Sequence, residues 1–338
     1  MSAQPEQHPK SSRSQRPQGG ERGISRILRY REASIGLVAV ALIVVFQVLS
    51  AQFLTLGNLQ VAFQLAAEIA IVGVAEVMVM VLGEIDLSVG NVFAFAPVVM
   101  YFINQAGAPL VVAIIIALAA SLAVGFINGL LTVKVGVPSF IATLAVLYAL
   151  NGLTLIITNG FPVTPPSTAF TNLMGGGTYS VVGWAVIIVV IWHFILNKTP
   201  FGLHTTSVGS NAIASREVGI AVDRVKIWNF VLASGLSGLL GIFEGFRISS
   251  IDPLAGGTGL LLEGIAAAVI GGTALTGGSG TIIGAAIGAF VIAALQEGLN
   301  LLGVNAYYFD LVLGLAIGVA MILNIRMSRV RKGAGNSG

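Results

Sequence analysis

The residues best suited to chemistry in this 338-residue chain are carboxylates set among apolar runs. Gly83-Glu-Ile-Asp-Leu-Ser-Val-Gly90 places Glu84, Asp86 and Ser88 between glycines, where two hydrophobic stretches meet. Asp86 is positioned to cap a helix starting at Leu87, accepting its orphan amide hydrogens. A half-helix amino terminus at membrane depth can also face a polar solute, and the two roles are compatible if the turn lines a water-filled cavity. Glu68, Glu76, Glu244, Glu263 and Glu297 lie within or beside other apolar segments. A charged group at the centre of a membrane helix costs about 2.5–3.5 kcal/mol on insertion scales, so each acid must face a partner or a wet pathway. One reading is a proton or cation relay; the other is a set of hydrogen-bonded carboxyls lining a vestibule or tying helices together. Few of these segments carry a matching Lys or Arg, and no relay spacing is present, which favours the second.

Other chemistries are excluded by what is missing. There is no Cys, and His8, His193 and His204 are scattered. The sequence therefore offers no thiol nucleophile, no metal-ligand spacing and no Ser/His/Asp constellation. We expect no catalytic residue, no metal and no cofactor in this chain. The run Gly271–Gly280 superficially resembles a phosphate-binding loop, but no Gly-Lys-Ser/Thr occurs anywhere. ATP hydrolysis by this chain is not expected. The run reads instead as a tight turn where backbones meet.

Only 9% of residues are charged, against about 25% in soluble domains, and 56% are hydrophobic with a mean hydropathy of +0.93. The chain is an integral membrane protein. A crossing helix needs about 20 apolar residues, and the candidates are 33–51, 60–82, 87–104, 109–132, 138–158, 181–197, 227–246, 260–274, 281–301 and 307–325. The expected fold is an all-α polytopic bundle of about 10 spans, or eight if two segments are re-entrant. With both termini cytoplasmic, every Lys and Arg except Arg247 lies on one side, as the positive-inside rule requires. Residues 1–32 form a polar tail with seven basic residues, expected to stay disordered. Residues 33–326 form the membrane domain, and 327–338 a second cytoplasmic tail. A cleaved secretory signal ending near Val48-Leu-Ser-Ala51 is the rival reading, but its n-region would be very long. The net charge of +3 arises mainly from the tails; basic residues beside spans set topology and touch headgroups rather than nucleic acid.

Glycines four apart mark helix faces for close packing, within one subunit or at a dimer seam: Gly241 and Gly245; Gly280, Gly284 and Gly288; Gly314 and Gly318. The loop Asn159–Ser180, on the side opposite the tails, is long enough to dock an external partner or to serve as a plain connector. Val135–Phe140 echoes Leu302–Tyr307, and Gly83–Gly90 faintly echoes Gly272–Gly277, a weak sign of internal duplication. The stretch 199–226 is the polar exception between long apolar runs. Within it Asn211 can cap a short helix, Ala212–Val218, that Gly219 ends. A short polar helix bracketed by spans is suited to being gripped from the cytoplasm.

Together these residues resemble the membrane permease subunit of ribose-type sugar ABC importers, in the wider family shared with branched-chain amino-acid permeases. The first motif is similar to Gly-Gly-Ile-Asp-Leu-Ser-Val-Gly, with Glu84 in place of the second Gly. The longer matches are Arg247-Ile-Ser-Ser250, Leu262-Glu-Gly-Ile-Ala-Ala-Ala-Val-Ile-Gly-Gly-Thr273, and Gly298–Val304 with Tyr307 and Tyr308. The likeness runs from about residue 33 to 326. It implies a bacterial inner-membrane importer with a second permease chain, a homodimer partner or a paralogue. It also implies a separate ATP-binding cassette subunit holding ATP and Mg, and an extracytoplasmic sugar-binding protein. The 199–226 stretch then becomes the coupling loop, with Gly209, Asn211, Ala214, Ser215, Arg216 and Gly219 as contacts to the ATPase. The family pattern Asn-Glu-Ala-Ala-x4-Gly is met by Asn211–Gly219, except that Ala212 replaces Glu and Ile213 replaces Ala. Candidates for the translocation path are Glu76, Glu84, Asp86, Ser88, Glu244 and Glu263. The alternatives are an ion-coupled secondary transporter or channel, or an ABC permease for branched-chain amino acids or nucleosides.

Overall fold

The computed structural model describes residues 31–319 and residue 322. The expectations for residues 1–30 and for 327–338 lie outside these. Ten apolar helices occupy the ten expected segments, with boundaries shifted by a few residues. They are α1 (Arg31–Leu49), α2 (Leu56–Val81), α3 (Val89–Gln105), α4 (Leu110–Leu130), α5 (Ser139–Thr158) and α6 (Ser180–Lys198), then α9 (Val222–Arg247), α10 (Gly257–Ile270), α11 (Ile282–Leu301) and α12 (Tyr307–Val319). Between α6 and α9 stand two polar helices, α7 (Pro200–Ser210) and α8 (Ala212–Glu217). Among the described residues there is no named strand, only an isolated antiparallel bridge, Val163 to Ile251. Among the described residues, six helices are long and apolar enough to cross a membrane: α2, α4 with its π-turn to Val135, α5, α6, α9 and α11. α3, α10, α12 and the apolar part of α1 are shorter. At 1.5 Å per residue, 14 residues of α10 reach only about 21 Å.

α2 is the axis. From Ile69 to Val81 every residue is buried, as expected of a helix that is apolar on all sides. It is packed against α6, α9, α10 and α11, while α9 also packs on α3 and α4. α4, α5 and α6 carry Val111, Ile115, Ile156, Val186 and Val190 outward; in lipid such a surface needs no cover. Glycines set the seams. A Cβ at Gly241 would strike the Phe93 backbone, and one at Gly284 the Gly271 carbonyl. Among the described residues nothing lies within 4 Å of such an atom at Gly314 or Gly318, so those two set no seam there.

The connections gather at two ends. One end holds 82–88, 131–138, 199–221 and 271–281; the other holds the Val163–Ile251 bridge and the segment 159–179. That segment is packed rather than bare. Thr168 and Thr171 form a capping box, the Trp184 indole donates to the Leu173 carbonyl at 3.1 Å, and a Cβ at Gly175 would strike the Phe243 carbonyl. The suggested duplication keeps one local feature: Gly136 and Gly303, at corresponding places, both have positive φ.

Candidate functional site

At the charged end, the first motif is an extended turn between α2 and α3 whose polar groups are held by neighbouring helices. Gly83 turns the chain with φ 78°, a conformation glycine reaches without Cβ strain. The Ile85 amide donates to Ser139 Oγ at 3.3 Å and the Leu87 amide to Thr143 Oγ1 at 3.0 Å, both on α5. Asp86 Oδ1 accepts from the Ser88 amide at 2.9 Å and the Ser88 hydroxyl at 2.6 Å. Asn128 of α4 donates to Ser88 Oγ at 2.7 Å and reaches both Asp86 oxygens at 3.3 and 3.4 Å. Asp86, Ser88 and Asn128 are fully buried. Burial pushes the Asp86 carboxyl up to about 6, against the Ser88 and Asn128 hydrogen bonds that favour its charged form.

This corrects the expected cap. The helix begins at Val89, not Leu87, and Asp86 fastens Ser88 and α4 instead of serving the first turn. The turn's bonded amides are held by protein groups, and Asp86 and Ser88 face no solvent in this conformation. Glu84 forms an ion pair with Lys226 of α9, so this extra carboxylate ties the motif to the helix that follows α8. Sequence reading missed Asn128, Thr143 and Lys226, because their partners lie 40 to 142 positions away.

The stretch expected to be a loop is mostly helical. Thr199 accepts from the Gly202 amide at 3.3 Å and Pro200 opens α7; the Thr-Pro pair, a cap followed by proline, was the available signal. α8 matches expectation within one residue. Asn211 Oδ1 accepts from the Ile213 and Ala214 amides at 3.1 and 3.0 Å, and Gly219 leaves the helix with φ 89°. Arg216 pairs with Asp223 at 2.9 Å, which also receives Lys134 at 3.0 Å, fixing α8 to α9 and to the end of α4.

The coupling candidates divide. Asn211, Ala214, Arg216 and Gly219 are exposed. Ser215 is buried, and a Cβ at Gly209 would strike the Val81 carbonyl and crowd the Gly278 amide. Gly209 and Ser215 therefore pack inward, contrary to the expected outward contacts. The Gly278 amide also donates to Val81 O at 2.8 Å, so the glycine run is indeed a close backbone approach. Ile213 and Val218, 75% and 78% exposed, add an apolar face to α8 that the sequence reading did not single out.

The other path candidates lie elsewhere. At the opposite end, Arg247 grips Glu244 with two bonds of 2.6 Å and reaches Glu68 at 2.8 Å. The basic residue that stood apart from all others in the topology is thus the partner of two intramembrane acids. Glu263 is close enough to Glu68 for their charges to repel, and Asp310 acts on Glu263 in the same way. Glu76 is fully buried in α2 within electrostatic reach of Asp86, and both its carboxyl oxygens lack a hydrogen-bond partner among the described residues. The six path candidates thus fall in two groups, Glu76, Glu84, Asp86 and Ser88 towards the charged end and Glu244 and Glu263 towards the other. No group of His, Asp and Glu among the described residues could hold a metal.

Residues 58–321 match the family described as the permease component of branched-chain amino acid transport systems. The chain belongs to this permease family. Among curated relatives, the xylose/arabinose import permease protein of Sulfolobus acidocaldarius is 38% identical over 90% of this chain and 88% of its own. The ribose import permease proteins of Escherichia coli K12 and Bacillus subtilis are each 36% identical. Each match covers 85% of this chain, with 92% and 90% of the relatives' own lengths. No solved structure matches the chain. Family membership and the six long apolar helices make it a multi-pass membrane protein.

Proposed function

We propose that this chain is the membrane subunit of an ATP-driven importer that carries a pentose- or hexose-type monosaccharide into a bacterial cytoplasm. The carrying observation is near full-length similarity to permeases named for ribose and for xylose and arabinose import. The bundle, residues 33–326, crosses the inner membrane about ten times with both tails, 1–32 and 327–338, inside. It works with a second permease chain, an external sugar-binding protein and a separate ATP-binding cassette subunit; ATP and Mg bind to that subunit, and this chain needs no cofactor. The ATPase grips α8 through Ile213, Val218, Ala214 and Arg216. Exposed apolar side chains on a charged rim suit such a contact. Closure of the ATPases pushes α8, and the ion pairs of Asp223 and Lys226 pass the motion to α4, α9 and the first motif. The central path then switches from outside to inside.

The test is uptake by proteoliposomes holding this chain, its ATPase and the external protein. A panel of pentoses, hexoses and branched-chain amino acids decides the cargo, since the family description names amino acids while the relatives import sugars. Ile213→Asp with Val218→Asp is expected to lower uptake at least roughly tenfold while the chain still inserts, as removal of apolar anchors does at interfaces. Unchanged ATP-dependent uptake in that double variant rejects the coupling role. Uptake driven by an ion gradient without the ATPase would establish the secondary-transporter alternative.

A further inference from the structure

On the outer surface of the bundle, a groove of about 560 Å³ runs between α4 and α9. Leu122, Ala123 and Phe126 form one wall, and Ile227, Trp228 and Val231 the other. Three- and four-residue spacings put each set on one helix face. The seam beneath is fixed, because a Cβ at Gly125 would strike the Phe230 carbonyl and one at Gly129 would meet the Ile227 backbone. A second hollow of about 430 Å³ lies at the charged end, with His204, Gly219 and Ile220 in its lining. Arg224 and Trp228 line both hollows.

Arg224 carries the argument. Lys134 and Arg216 are paired with Asp223, and Lys226 with Glu84. Arg224 is exposed and has no acidic partner among the described residues. An unpaired guanidinium beside a hydrocarbon-lined groove matches a molecule with an anionic head and an apolar tail. Basic sites between helices at the cytoplasmic side suit anionic lipid headgroups, guanidinium binds phosphate through paired N–H groups, and tryptophan favours the headgroup level. A free anion would leave the groove unfilled; an uncharged amphiphile would leave Arg224 unneutralised.

We propose that these joined hollows bind one anionic phospholipid. An acyl chain lies between α4 and α9, and the phosphate sits on Arg224 where the two hollows meet. Binding depends on the chain alone and requires nothing of the transport reading.

The purified full-length chain in detergent, titrated by native mass spectrometry, tests this directly. The probes are phosphatidylglycerol and phosphatidylcholine with identical acyl chains. Phosphatidylglycerol is expected to bind at roughly fivefold lower concentration, the value of one surface cation. Arg224→Ala should erase that preference, and Ala123→Trp, which fills the groove, should weaken both lipids. Lys198→Ala, removing an exposed charge elsewhere at this end, should change neither. Four results overturn the proposal: equal binding of the two lipids by the unmodified chain, a preference that survives Arg224→Ala, equal loss in Lys198→Ala, or displacement of phosphatidylglycerol by inorganic phosphate.

Discussion

Asn211 holds α8 through one side-chain oxygen that takes two backbone amides. A six-residue helix cannot persist on propensity alone, so this cap and the Arg216–Asp223 pair determine whether α8 exists as a rigid element. Asn211→Ala should destabilise it by about 1 kcal/mol. Hydrogen exchange at Ile213 and Ala214 should accelerate while exchange in α2 stays unchanged; equal protection would show that the cap is dispensable. Arg247 is a stronger case, because its removal leaves Glu68 and Glu244 unpaired in a largely buried place. Breaking a fully buried pair costs about 3–5 kcal/mol, and partial exposure of Arg247 reduces that figure. Arg247→Ala should lower the melting temperature of the purified chain, and Arg247→Lys should rescue it only in part, since an ammonium cannot reproduce the two-pronged contact. Full rescue by lysine would mean that charge alone matters there.

At the scale of elements, α7 is wedged between the end of the central helix and the glycine run. Its Gly209 lies against Val81 at the end of the central helix and against Gly278 in the glycine run. A side chain there meets backbone on both sides, which cannot rotate away. Gly209→Val is therefore expected to separate α7 from α2, exposing the small core of Leu82, Val208, Val222 and Val225. Overpacking of this kind costs about 1–3 kcal/mol or more, visible as a lower melting temperature and faster proteolysis between α6 and α9. Gly219→Val introduces no clash, because nothing lies within 4 Å, but it places a β-branched residue at φ 89°. Its expected effect is confined to the angle between α8 and α9, so uptake should fall while insertion and thermal stability change little.

For the whole molecule, the decisive expectation is dependence on a motor. Vesicles holding this chain without its ATPase should show no accumulation of solute against a gradient; addition of the ATPase subunit, MgATP and the loaded external protein should start it. Accumulation by the chain alone would reject the importer reading. The six long apolar helices were legible in the sequence because crossing a membrane imposes a long hydrophobic run that needs no partner to be recognised. The short helix after Asn211 was legible because a cap and a left-handed glycine are local signals. What each acid touches was not legible. Arg247 meets Glu68, Asn128 meets Asp86, and Lys226 meets Glu84 only because separate helices are packed side by side. Hydropathy reports how much water each segment tolerates; it carries no information about which helix face meets which. That choice is made by close approaches such as Gly209 on Val81 and Gly125 on Phe230, where steric fit between distant segments allows a single arrangement.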